Sequence, residues 1–235
     1  MAPVARELST DAGVLEPLQG AVSIDGQIEE LRTVLEGNAA LPAIVIGHSW
    51  GALLSMMLAA KHPTLVKKLI LVSTPPLDAS DARGIMDARL GRMTKAERAR
   101  AKELFMQLER GGDEERDACF AELGRMSVKC DSYDPDPVKD EILEYQHNTF
   151  QSVWSQAEIL RTKGEFLNIA GRIACPVVAL HGDHDPHPAA AVRRHLSHRI
   201  QQFEFFLLSH CGHYPWIERQ AREKFYQLLR REASC

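Results

Sequence analysis

Five residues, Gly47-His48-Ser49-Trp50-Gly51, constrain this chain more than any others, because they separate two apolar segments of different character. Pro42 opens a short β-branched run, Ala43 to Ile46, and Ala52 to Ala60 has the composition of a buried helix. Taken together, Ala39 to Ala60 would be long enough to span a bilayer, 22 residues with only His48, Ser49 and Ser55 clearly polar. The glycines divide it, so strand, sharp turn and buried helix is the expected parse. In that setting Gly-x-Ser-x-Gly has a mechanical meaning. A serine on a strained strand-to-helix turn projects its hydroxyl above the sheet, and the next backbone N–H can face a developing oxyanion. Ser49 is the candidate nucleophile and the Trp50 N–H the candidate oxyanion donor. A glycine-bounded turn with a serine cap is the plainer alternative.

Further apolar runs recur at Lys68 to Ser73, Pro176 to His181 and Gln202 to Leu208, each short and closed by turn residues, as buried strands are. Helical periodicity lies between and around them. Ile24, Ile28, Leu31 and Leu35 follow a Ser23 cap, and Ile217, Ala221, Phe225 and Leu228 follow Pro215. Alternation of strand and helix predicts an α/β fold, a parallel sheet covered on both faces, with ligands at the carboxyl ends of the strands. Leu77 to Ala174 breaks the rhythm. It offers charged amphipathic helices, a capping box at Thr94 and Glu97, and a helix start at Asp136 before Pro137, but no convincing strand. The expected organisation is residues 1–76 and 175–235 as two parts of one α/β core, with 77–174 a helical insertion that could roof a pocket over the strand ends.

A serine hydroxyl needs a base, and an imidazole base needs a carboxylate to fix its tautomer. Beyond the strand Pro176 to His181 comes Gly182-Asp183-His184-Asp185-Pro186-His187-Pro188, where Asp185 is the expected acid and Asp183 a turn-organising residue. Beyond the strand Gln202 to Leu208 comes Ser209-His210-Cys211-Gly212-His213-Tyr214-Pro215, where His213 is the expected base and His210 a residue of local packing. The chain order Ser, Asp, His after successive strands supports both choices. Asp78 is a reserve carboxylate whose plainer role is a helix start. The histidines and aspartates between His181 and His187 invite a metal reading, but no distant ligand set accompanies them, so no metal is expected. Cys211 adjoins the base and reads as a small buried hydrophobe.

Composition limits the partners. With 28 basic and 32 acidic residues, a net charge of −4, the 235-residue chain has no field to gather nucleic acid or an anionic membrane surface. Five scattered cysteines without a Cys-x-x-Cys pair, and a start that lacks a secretory signal, point to a reducing cytoplasm. A homo-oligomer is left open.

Through the Ser49 elbow, the Gly182 to Asp185 acid loop and the Gly212 to His213 base loop, the sequence resembles the α/β-hydrolase superfamily over most of its length. The runs His181 to Pro188 and Cys211-Gly212-His213-Tyr214-Pro215-Trp216 are similar to those of small hydrolases related to proline iminopeptidases. The resemblance implies a serine hydrolase with no metal or organic cofactor. It also implies a departure at the front. Family members usually begin with three strands, the third ending in a His-Gly-Gly-type loop that supplies another oxyanion donor, and only 48 residues precede Ser49 here. Met1 to Leu8 then corresponds to the helix after that loop, Val14 to Gln19 to the fourth strand, and the sequence starts inside the domain. Ala43 to Ile46 would lack its usual neighbour, leaving an apolar edge open to re-pairing. Loss of one oxyanion donor costs about a hundredfold to a thousandfold in rate.

The expected chemistry is cleavage of an ester or small amide through an acyl-enzyme, with Ser49 as nucleophile, His213 as proton shuttle and Asp185 orienting His213. Trp154, Phe150 and Tyr145 are candidate pocket lining or, equally, the insertion's own core. Two alternatives remain at this level: acyl transfer to an alcohol, and a non-catalytic binding module that keeps the triad letters without a complete oxyanion hole.

Overall fold

The computed structural model describes residues 1–137 and 147–234. Helix α1 (Ala2–Leu8) and helix α2 (Ile24–Asn38) lead into strand β1 (Ala43–His48), helix α3 (Trp50–Lys61) and strand β2 (Val66–Val72). Among the described residues, five helices follow before the next strand: α4 (Ile85–Arg92), α5 (Lys95–Arg110), α6 (Asp113–Asp131), α7 (His147–Thr162) and α8 (Glu165–Ala170). Strand β3 (Val177–Gly182), helix α9 (Ala189–Ser197), strand β4 (Phe203–Leu208) and helix α10 (Arg222–Ala233) complete the order. The four strands of the described residues run parallel in the order β1-β2-β3-β4, with Ile46 beside Ile70, Leu71 beside Ala179 and Leu180 beside Phe206. Each ladder continues one residue past its strand: Ser49 N–H donates to Val72 O, Ser73 N–H to Leu180 O and Asp183 N–H to Leu208 O, at 2.9–3.0 Å. The ends that carry the sequence motifs therefore lie along a single edge of the sheet, where α/β folds bind ligands.

Alternation along the strands divides the core into two layers. Leu69, Leu71, Val177 and Ala179 face α2, α3, α7, α8 and α9, while Ile70, Val72, Val178 and Leu180 face α1 and α10. Helix α3 has no polar side. Its residues Ala52 to Ala59 are all buried, so the apolar run that could have crossed a bilayer is divided between strand β1 and a core helix. Truncating Leu53 or Leu58, both fully buried, to alanine would cost about 2–5 kcal/mol. No described helix is long and apolar enough to cross a membrane.

Caps sit where the sequence places them. Ser23 Oγ accepts from Gly26 N–H at 3.1 Å, and Thr94 and Glu97 bond reciprocally at 3.2 and 2.8 Å. The helices between β2 and β3 are of two kinds. Helices α5 and α6 pack on each other around a small apolar cluster of Ala101, Leu123, Met126 and Cys130, with the exposed Arg100–Glu122 pair at 2.7 Å outside it. Helices α7 and α8 instead send Val153, Ala157, Phe166, Ile169 and Ala170 into the main core.

Two expectations need correction. Val14 to Gln19 forms no strand: Pro17 lacks an N–H to give to a ladder, β1 pairs only with β2 among the described residues, and Leu18 is 89% exposed. The periodicity after Pro215 does not run as one helix either. Pro215–Ile217 is a single 3-10 turn and α10 begins only at Arg222, because Glu218 and Arg219 are drawn aside to bond with residues 133–136. Asp136 pairs with Arg219 and Arg222, and residues 138–146 lie outside the described ones.

Candidate active site

At the end of β1 the chain turns too tightly for ordinary residues. A Cβ on Gly47 would stand 2.3 Å from the carbonyl oxygen of Gly51 and 2.6 Å from Ser55 Oγ, so glycine alone lets strand and helix approach here. Gly51 contributes its backbone rather than its own lack of a side chain, since a Cβ there would meet nothing within 4 Å. Between them Ser49 has φ 52° and ψ −121°, a backbone state that costs a non-glycine residue about 1–3 kcal/mol. Trp50 opens α3, so its N–H falls in the first turn, where the helix offers no acceptor. The Trp50 indole donates to Gln27 Oε1 at 2.9 Å, which fixes the side chain against α2.

The acid and base loops meet. His213 Nδ1 donates to Asp185 Oδ2 at 2.8 Å, while Asp185 Oδ1 accepts the His187 backbone N–H at 2.9 Å and His187 Nδ1–H at 2.8 Å. All three residues are buried. Burial opposes ionisation of Asp185, but the His213 imidazole and hydrogen bonds from His187 and His213 hold its carboxyl well below the usual range. With Nδ1–H committed to the carboxylate, His213 keeps its lone pair on Nε2, the nitrogen a proton shuttle needs. Among the described residues no side chain, His213 included, bonds to the Ser49 hydroxyl, a contact that in unliganded enzymes often tightens only with substrate.

Around this pair stand residues that spacing did not single out. His48 donates Nε2–H to the His213 carbonyl at 2.9 Å and packs against the rings of His213, Tyr214 and Trp216. His181 donates Nε2–H to His187 O at 3.0 Å. Burial pushes His48, His181 and His187 below the ordinary 6.5, so each is a neutral imidazole near neutral pH. In the sequence His181 and His187 stood out only as part of a possible metal cluster, and His48 only as a member of the elbow motif. The donor atoms of Asp185, His187 and His213 lie within 4.8 Å of one another, a set that could hold a divalent cation. Any cation there would take the same nitrogens that now donate to Asp185.

The remaining candidates fall aside. Asp183 Oδ1 accepts from Cys211 N–H at 3.2 Å and so ties the two loops together. His210, at φ 54°, packs on Tyr133. Asp78 accepts from Ser80 N–H at 2.8 Å in an exposed turn. Cys211 is fully buried, and burial pushes its thiol up, away from thiolate. Phe150 stacks on Trp154 at 5.6 Å and packs on Phe120 at 4.7 Å, within the helical segment; Tyr145 lies outside the described residues.

Residues 16–220 match the family model described as alpha/beta hydrolase fold. The pimeloyl-[acyl-carrier protein] methyl ester esterase of Chromobacterium violaceum is 25% identical over 195 residues, 80% of this chain and 69% of that protein. Lipase LipV of Mycobacterium tuberculosis is 36% identical over 69 residues, a match that takes in 29% of this chain and only 26% of the lipase. Among solved structures, the N-formylmaleamic acid deformylase of Pseudomonas putida S16 superimposes with a TM-score of 0.56 at 15% identity, covering 97% of this chain and 85% of its own.

Proposed function

Because the chain belongs to the alpha/beta hydrolase fold family, we propose that it is a serine hydrolase in which Ser49, His213 and Asp185 act as nucleophile, base and orienting acid. The observation that carries this reading is the 2.8 Å bond between His213 Nδ1 and the buried Asp185 carboxylate, at the same sheet edge as the strained Ser49 turn. In the reaction Ser49 Oγ attacks a carbonyl carbon as its proton passes to His213 Nε2. The Trp50 N–H donates to the oxyanion. Collapse expels the leaving group, which takes the proton from His213, and water then attacks the acyl-serine with His213 again as base. Hydrolysis, rather than transfer to another alcohol, follows the names of the esterase and the lipase that the chain is similar to.

Carboxylic esters are the proposed substrates, with small amides second. Residues 77–174 would act as the insertion that bounds the acyl or leaving-group pocket above the strand ends. A cytoplasmic site of action fits the cysteines, since Cys119, Cys130, Cys175 and Cys211 are all free thiols.

Incubation with a p-nitrophenyl ester series tests the reaction. The expected result is release of acid and p-nitrophenol with an acyl adduct on Ser49 caught by mass spectrometry after rapid acid quench, and neither in Ser49→Ala. A folded wild-type protein that turns over no ester or anilide and forms no adduct would favour the binding-module alternative.

A further inference from the structure

A part-buried ion pair joins the helices between β2 and β3 to the loop that carries His213. Asp131, the last residue of α6, has no exposed surface, and Arg89 of α4 grips its carboxylate from Nε to Oδ1 at 2.8 Å and from Nη2 to Oδ2 at 2.5 Å. The backbone carbonyl of that same Asp131 accepts the His213 N–H at 2.7 Å. One turn further along α4, Arg92 donates to Cys130 O at 2.8 Å and to His184 O at 2.9 Å, beside Asp185. Arg92 thus reaches the backbone beside the acid, and Arg89 grips the side chain of the residue whose carbonyl holds the base.

The contact is close enough to transmit position. A Cβ on Gly212 would lie 2.0 Å from Asp131 O, so the loop before His213 lies backbone to backbone on the end of α6. Glu218, also without exposed surface, clamps the same junction: it accepts N–H bonds from Gly212 and Tyr133 on Oε1 and from Asp134 on Oε2, each at 2.8 Å. The backbone on which His213 sits is held by the insertion as much as by the sheet.

Resting on the serine-hydrolase reading, we propose that Arg89, acting through Asp131, is a positioning residue for His213, so that seating α4 on the end of α6 and aligning the base are one event. An ion pair of merely structural value would, when removed, lower stability and leave the folded fraction equally reactive. A positioning residue lowers reactivity in protein that remains folded, because small displacements of a proton shuttle are costly.

The test uses Arg89→Lys and the double variant Arg89→Met/Asp131→Asn, which removes both charges and avoids leaving a buried carboxylate alone. Two quantities are measured on protein with wild-type circular dichroism: the second-order rate of fluorophosphonate labelling, and the downfield proton resonance of the His213–Asp185 bond, assigned by its loss in His213→Ala. The double variant is expected to label about tenfold to a hundredfold more slowly, with that resonance shifted or broadened, and Arg89→Lys to fall between. Wild-type labelling with an unmoved resonance would overturn the proposal, as would slow labelling with an unmoved resonance, which puts the action of Arg89 elsewhere. If the wild type itself does not label, the serine-nucleophile reading fails, and the resonance still decides whether Arg89 positions His213.

Discussion

His48 Nε2–H donates to the backbone carbonyl of His213 at 2.9 Å, tying the residue before the proposed nucleophile to the proposed base across 165 positions of sequence. The bond is part-buried and its imidazole neutral, held below 6.5 first by burial and then by the charge His213 can carry. Replacing His48 with alanine removes the donor and the ring that fills the space beside Trp216. A loss of about 1–3 kcal/mol in unfolding free energy is expected, measured by urea titration, together with slower labelling of Ser49.

The elbow makes an asymmetric demand on its two glycines. Gly47→Ala drives a Cβ into the Gly51 carbonyl and should destabilise by about 1–3 kcal/mol or more. Gly51→Ala enters open space on a helix and should be neutral or stabilising by up to about 1 kcal/mol. Thermal melts of the two variants check this, and equal losses would contradict the geometry.

The two aspartates of the acid loop should separate by orders of magnitude. Asp185→Asn offers His213 Nδ1 an amide that can hold the wrong tautomer, and kcat on an ester should fall about 10⁴-fold. Asp183→Asn keeps an oxygen for the Cys211 N–H and should stay within about 1 kcal/mol of wild type in stability, with activity retained. Parallel steady-state assays distinguish them.

Acid should destabilise the fold through its neutral imidazoles. His48, His181 and His187 are held below 6.5 in the folded chain, so below that pH the unfolded state binds more protons. Their contribution is complete above 6.5 and is lost as pH falls toward the folded values. Asp185, held well below the ordinary carboxylate range, gives stability that is lost only at more acidic pH. The melting temperature should therefore drop between about pH 7 and about pH 5, and less steeply in His48→Gln. A flat profile would count against this.

What the sequence disclosed follows from the range of the interactions. The four strands are short β-branched or aromatic runs, and α2 has Ser23 as its cap, so local chemistry marks them. The turn at Ser49 was legible because only Gly47 tolerates the contact with Gly51, four residues away. Val14 to Gln19 misled because the family resemblance assigned it a strand, yet a strand exists only with a partner ladder. Asp131 and Glu218 left no signature at all: the Glu218 carboxylate accepts backbone N–H groups 84 and 85 residues away, which imposes no residue type on its partners, and Asp131 meets the base loop through its backbone carbonyl, which any residue offers. His187 sat in view beside Asp185, but nothing in its spacing told a hydrogen-bond donor from a turn residue.

Intact-mass analysis after exposure to a fluorophosphonate tests the central claim most directly. The account predicts one adduct per chain, mapped by digestion to Ser49, absent from Ser49→Ala and strongly reduced in His213→Ala. A folded wild-type chain that stays unmodified, or an adduct that persists in Ser49→Ala, would contradict it.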